Sequence, residues 1–120
     1  MSRFLVLFEL NMSASEQMSR SSSEEIHAAM QRWVTWKEEL ESEGGVMEFG
    51  SPLESRVQIA ADGSVEDLKQ AVSGYLIVDK RSLDQTVDAL KSHPHLATNS
   101  EAKIDVYEMM TMNGVRHHNN

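Results

Sequence analysis

The chain has 120 residues, 40% of them apolar and 25% charged, which suits one domain with its own hydrophobic core. Its formal net charge of −8 argues against nucleic acid or an anionic membrane as a partner, because both require basic surface. The absence of cysteine excludes a disulfide framework, a thiol nucleophile and any cysteine-based metal site. No segment reaches the roughly 20 apolar residues of a membrane-spanning helix, so we expect a cytoplasmic protein.

The chain begins with a predicted strand and a predicted loop. Residues 3–10 place apolar side chains on both faces of an extended segment, so both faces should be covered. No small-residue cleavage site follows, so a strand fits this segment better than a signal peptide. The serine-rich residues 11–23 are expected to form a mobile loop, either a solvated connector or a lid over a site.

A long helix is predicted over residues 24–43. A capping box is expected at its N-terminus, from Ser22 with Glu25 or from the pair one residue earlier, and two glycines should end the helix. The apolar stripe predicted to pack in the core is Ile26, Met30, Trp33 and Leu40, with Ala29 and Trp36 beside it. Because Trp36 lies at the edge of the stripe, we treat it as a candidate for ligand contact.

Shorter elements are predicted in the middle of the chain. Residues 46–50 and 56–60 are expected to be strands, and Asp62-Gly63 is a strong turn signal. Residues 65–70 are polar, and at most a short helical turn is predicted there.

The C-terminal third carries the clearest pattern. An apolar run rich in strand formers predicts a strand at residues 75–78. Ser82, with Gln85 three residues later, predicts the N-terminal cap of a helix, and Pro94 should end that helix. The apolar face of the helix should consist of Leu83, Val87 and Leu90.

A last strand is predicted at residues 103–109, and the single domain should span residues 1–112. Ile104 and Val106 should lie on one face of this strand, and Asp105 and Tyr107 on the other. Residues 113–120 are expected to be a disordered tail.

These elements predict an α+β fold with the ferredoxin-like βαββαβ plan, an antiparallel sheet with two helices on one face. The second sheet face would have no intramolecular cover, although the strands are apolar on both faces. We therefore expect a homodimer in which a second copy covers that face, pairing as a dimeric α/β barrel.

The sequence GYLIVDKRSLDQTVDALKSHPHL, followed by KIDVYEMMTM, resembles the YCII-related family, in the branch that includes the DGPF-type proteins. The first strand, the helix end ESEGG and the turn GSPL also fit this resemblance. It implies a dimeric α+β barrel that needs no cofactor. Activity in the family is mostly unassigned, and proteins with the same fold include isomerases, dehalogenating enzymes and cofactor-independent monooxygenases.

The chain departs from that family at two motifs. Founding YCII-type proteins pair a histidine on the first helix with an aspartate just before the proline of a D-P-[FY] turn. Here the two positions correspond to Trp33 or Val34 and to His93, so neither half of the pair is present. The D-G-P-F signature is replaced by the residues DGSV that begin at Asp62. An activity that depends on the histidine–aspartate pair is therefore not expected.

Candidate chemistry centres on His95, which follows Pro94 and can transfer a proton near neutral pH. Asp105 is the second candidate proton carrier. The candidate ligand-binding residues are Arg56, Gln58, Tyr107 and Trp36, in a pocket between the uncovered sheet face and a helix. The alternative is structural: Arg56 and Asp105 would pair across the dimer or face solvent.

No metal site is predicted. His93 and His95 are two residues apart, and His117 and His118 are adjacent, but no carboxylate follows His93 at helical spacing. His93, at the end of a helix, would interact with the helix dipole as a protonated ring.

Two functions remain open. One is a cofactor-free enzyme that acts on a small organic acid or aromatic molecule by acid–base chemistry in a pocket of the dimeric barrel. The other is a non-catalytic dimeric module that binds a small ligand or a protein. Whether the protein is an enzyme stays open at this point.

Overall fold

The computed structural model describes residues 2–10, 14–54, 57–67, 71–98 and 100–110. The main sheet consists of β1 (Ser2–Leu10), β2 (Val46–Pro52), β5 (Ala71–Lys80) and β6 (Lys103–Glu108). The strands β3 (Val57–Ile59) and β4 (Val65–Asp67) form a second, two-stranded sheet. The helices are α1 (Ala14–Ser19), α2 (Ser23–Ser42) and α3 (Leu83–Leu90), with a 3-10 helix at Pro94–Ala97. The fold is α+β.

The main sheet is antiparallel in the order β2-β5-β1-β6. Strand alternation gives it two different faces. The helix face packs against α2 and α3 and contains the buried side chains Phe4, Val6, Phe8, Leu76 and Val78. The open face bears Leu5, Leu7, Tyr75, Ile77, Asp105 and Tyr107. On the open face Arg3 donates two hydrogen bonds to Asp79, of 3.0 and 3.2 Å.

The predicted start of α2 is confirmed. The Ser22 hydroxyl accepts the Glu25 backbone N–H at 3.1 Å, and the Glu25 carboxylate accepts the Ser22 N–H at 3.2 Å. The helix ends before Gly44, whose φ of 88° is the left-handed conformation that glycine adopts without strain. Of the predicted core stripe, however, Leu40 is buried whereas Met30 is 63% exposed.

The cap of α3 is also confirmed, since the Ser82 hydroxyl accepts the Gln85 N–H at 3.1 Å. The predicted apolar face of α3 is only partly correct. Leu90 is buried, but Leu83 is 46% exposed and Val87 36%. Thr86 is fully buried instead, and its hydroxyl donates to the Ser82 carbonyl at 2.9 Å, so its polar atom is satisfied inside the fold.

At most a short helical turn is predicted at residues 65–70, and this prediction is wrong for residues 65–67, which form β4. Residues 68–70 lie outside the described part of the chain. The Asp62-Gly63 turn joins β4 to β3: the Ala60 N–H donates to the Ser64 carbonyl at 2.8 Å, and Gly63 has a φ of 86°. This hairpin turn favours pairing of residues 65–67 with β3 over a helical conformation, although β4 contains two acidic residues. All residues of this hairpin are exposed.

Part of the serine-rich segment is helical rather than a loop, since α1 spans Ala14–Ser19. Residues 11–13 and the predicted tail, 113–120, lie outside the described part of the chain. None of the helices in the described residues is long and apolar enough to cross a membrane.

Candidate functional site

A groove of about 580 Å³ lies between α1, α2, the adjoining ends of β2 and β5, and the 3-10 helix. We call it the α2 groove. Its larger apolar walls are Phe8, Ile26, Met30, Trp33, Val34 and Phe49. Four of these side chains come from α2.

The α2 wall follows from helical spacing. Ile26, Ala29, Met30 and Trp33 recur three and four residues apart and therefore share one side of the helix. Sequence periodicity predicted this side as core, but only the next turns, with Trp36 and Leu40, are buried against the sheet. The first turns of α2 instead face the groove.

The sheet end opposite α2 is shaped by an irregularity in the β1–β5 pairing. Phe8 pairs with Gly74 but Glu9 with Val72, so Ser73 has no partner across the ladder. The Ser73 hydroxyl donates to the Phe8 carbonyl at 3.1 Å, which satisfies that oxygen at the bulge. A side chain at Gly50 would overlap the backbone oxygen and the ring of Tyr75. Only glycine therefore lets β2 approach Tyr75 this closely at position 50.

His95 contributes its imidazole to the groove wall and is only 6% exposed. Its Nε2 lies 2.9 Å from the Glu9 carbonyl oxygen, so Nε2 carries the proton and donates. Burial lowers the pKa of His95, opposed by hydrogen bonding to the backbone of Glu9 and Lys103. The ring is therefore neutral at physiological pH, and its Nε2 is engaged by the sheet.

His93 lies behind the groove wall, 2% exposed, in an aromatic enclosure. Its ring centroid is 4.4 Å from that of Trp33, 4.6 Å from Trp36 and 4.8 Å from Phe8. Its Nδ1 accepts the His95 backbone N–H at 3.0 Å, which caps the 3-10 helix. Nε2 therefore carries the proton of the neutral ring, and it has no hydrogen-bond partner among the described residues.

The prediction of a protonated His93 at a helix end is wrong. Burial, with a smaller contribution from His95, lowers the pKa of His93 to about 3, so the ring is neutral. His93 has a structural role, but it acts through packing and through its cap of the 3-10 helix rather than through the dipole.

The structure does not bring His95 and Asp105 together. In the β1–β6 register Asp105 pairs with Leu7 and Tyr107 with Leu5, both on the open face. His95 contacts Phe8, on the helix face, with ring centroids 5.1 Å apart. The sheet therefore separates the two predicted proton carriers.

The predicted ligand-binding residues are also dispersed. Trp36 is 4% exposed and its indole N–H donates to the Ala89 carbonyl at 2.9 Å, so it belongs to the core. Gln58 is exposed in the β3–β4 hairpin, and Tyr107 is 57% exposed on the open face. Arg56 lies outside the described residues.

Sequence reasoning did not assign Met18, Trp33 or Phe49 to the wall of a groove. Met18 gave a usable signal, since it is a large apolar side chain in an otherwise polar, serine-rich segment. It is 56% exposed and lines the groove. Trp33 carried no such signal, because core and groove positions on α2 share the same spacing.

A second cleft, of about 440 Å³, lies between the C-terminal end of α2 and α3. It is polar and contains Lys80, whose side chain is 7% exposed and whose Nζ lies 3.7 Å from a Glu43 carboxylate oxygen. Glu39 and Asp88 also line it. The lysine therefore already has a partner, and no buried side-chain nitrogen or oxygen among the described residues that line this cleft lacks one.

No group of three or more histidine, cysteine, aspartate or glutamate side chains suited to a metal ion occurs in the described residues. No known family model matches the chain, and no curated protein matches it either. The resemblance to the YCII-related family therefore stays a prediction.

Proposed function

We propose that the protein binds a small, mainly apolar organic molecule in the α2 groove. The observation that carries this proposal is the groove itself, of about 580 Å³ with walls that include Phe8, Trp33 and Phe49. Pockets for small molecules have volumes of roughly 300–1,000 Å³ and mostly apolar walls with a few polar groups. Met18, Met30 and Phe49 are more than half exposed, so apolar surface is available for a ligand to cover.

Acid–base catalysis by His95 is the second candidate function. It is favoured by the neutral imidazole in the groove wall, because a neutral ring can accept a proton. Against it, Nε2 is engaged by the Glu9 carbonyl, and Asp105 faces away across the sheet. Ligand binding without catalysis therefore fits the geometry better.

The binding proposal is tested with N-phenyl-1-naphthylamine, an uncharged probe that fluoresces in apolar surroundings. Met30→Glu should weaken its binding at least about tenfold, or ~1.4 kcal/mol, because a carboxylate would enter the groove. Leu83→Glu is the matched control: Leu83 is 46% exposed at the start of α3, outside the groove. Equal affinity in the wild type and both variants would contradict the proposal.

We also propose that the chain is YCII-related, with the ferredoxin-like plan, and that it forms a homodimer. The order β2-β5-β1-β6 supports the plan, since it places the two strands that are central in a βαββαβ sheet side by side.

Leu5, Leu7 and Ile77 on the open face support a dimer, because they are apolar and are not covered by the core helices. A specific interface buries about 800 Å² per partner. Sedimentation should give twice the chain mass of 13.5 kDa, and a folded monomer at micromolar concentration would contradict the dimer.

A further inference from the structure

The α2 groove has an asymmetric distribution of charge. Its inner end is formed by Phe8, Trp33 and the neutral His95. Its outer end, at the junction of α1 and α2, contains Gln17 and Glu25. A ligand that fills the groove would therefore have one apolar end and one polar end.

Glu25 is the single charged side chain among the described residues that line the groove. One of its carboxylate oxygens accepts the Ser22 N–H at 3.2 Å, which holds the side chain at the first turn of α2. Partial positive charge at that helix end attracts anions, but Glu24 and Glu25 in the first turn oppose it. Arg20 lies in the turn between α1 and α2 but does not line the groove, so the charged side chain that lines the outer end is negative.

Lys37 approaches the groove at Phe49 and does not reverse that sign. The Lys37 Nζ lies 5.1 Å from the ring centroid of Phe49, which lines the groove. The same Nζ lies 3.9 Å from a Glu41 carboxylate oxygen, so its charge is already paired. Lys37 itself does not line the groove.

We propose that the α2 groove selects aromatic amines: the ring packs against the surface that Phe8 and Trp33 form together, and the ammonium group pairs with Glu25. This inference rests on the proposed function and adds the ligand class. Trp33 and Glu25 are eight residues apart on one helix, about 12 Å along its axis. The ligand is therefore a two-ring aromatic molecule with an aminoalkyl chain of a few carbons, and a carboxylate in place of the ammonium is repelled.

Three compounds that differ only at the chain end test this: 3-(1-naphthyl)propylamine, the corresponding alcohol and the corresponding carboxylic acid. Calorimetric titration should show the amine binding about twofold to fivefold more tightly than the alcohol, consistent with the strength of an exposed ion pair. The acid should bind at least about tenfold more weakly than the amine.

Glu25→Gln sharpens the test, since glutamine can keep the capping box while it removes the charge. In this variant the preference for the amine over the alcohol should be lost. Glu24→Gln, one residue earlier and outside the groove lining, should keep the preference for the amine.

The outcomes separate the two proposals. Binding of none of the three compounds would overturn both the binding function and the amine preference. Equal binding of all three, or a preference that survives Glu25→Gln, would overturn the amine preference alone. Tighter binding of the acid that is lost in Arg56→Ala would also overturn it and would assign an anion-binding role to Arg56.

Discussion

Trp33 and Trp36 lie three residues apart on α2, but they occupy different environments. Trp36 is 4% exposed, packs with Leu40 against the sheet and donates its indole N–H to the Ala89 carbonyl. Trp33 is half-buried and lines the α2 groove beside Phe8. One helix thus serves as core at its C-terminal end and as a groove wall at its N-terminal end. The surface opposite a side chain, and not its helical spacing, therefore decides its role.

The largest expected difference between the two ends concerns stability. Leu40→Ala should lower the free energy of unfolding by about 2–5 kcal/mol, because Leu40 is 2% exposed and its removal leaves a cavity. Met30→Ala should change it by no more than about 0.5 kcal/mol, because Met30 is 63% exposed. Urea unfolding of both variants measures this. Similar losses would show that the groove end of α2 is packed as tightly as the core end.

The next prediction concerns the pH dependence of stability that the buried His93 causes. Burial holds the pKa of His93 at about 3 in the folded protein, against an ordinary value of 6.5. As pH falls below about 6.5 the unfolded chain takes up this proton first, so the contribution of His93 lowers stability towards pH 3 and is constant above about 6.5. The slope for one histidine is at most ~1.4 kcal/mol per pH unit. His95, whose pKa is also lowered, adds to it.

His93→Asn isolates this contribution. The asparagine oxygen can still accept the His95 N–H, so the cap of the 3-10 helix is kept while the titrating group is lost. Urea unfolding between pH 4 and pH 7 should show a flatter profile for the variant than for the wild type. An identical slope would mean that His93 is not buried in its neutral form.

Local signals in the sequence predicted the caps and the main strands. The Ser22–Glu25 box and the Ser82 cap each depend on residues within one turn, so no knowledge of the rest of the fold was needed. Pro94 does not end α3 as predicted, because α3 already ends at Leu90 and Pro94 begins the 3-10 helix. The β4 strand was missed although the turn at Asp62-Gly63 was recognised. A hairpin turn after β3 implies a partner strand, and residues 65–67 provide it.

The site was less predictable, because it depends on which elements face each other. Strand alternation correctly placed Asp105 and Tyr107 on one face, but it does not say which face meets His95. That was decided by the position of the 3-10 helix on the helix face, where His95 contacts Phe8. In the same way, the stripe on α2 predicted an apolar surface without saying whether a sheet or a ligand would cover it.

The different roles of Trp33 and Trp36 are tested most directly by their indole N–H signals in a nitrogen–proton correlation spectrum. Trp33→Phe and Trp36→Phe variants assign the two signals. On titration with 3-(1-naphthyl)propanol, the Trp33 signal should shift and saturate, whereas the hydrogen-bonded Trp36 signal should move much less. A larger shift of Trp36, or equal shifts of both, would contradict the assignment of Trp33 to a ligand site and of Trp36 to the core.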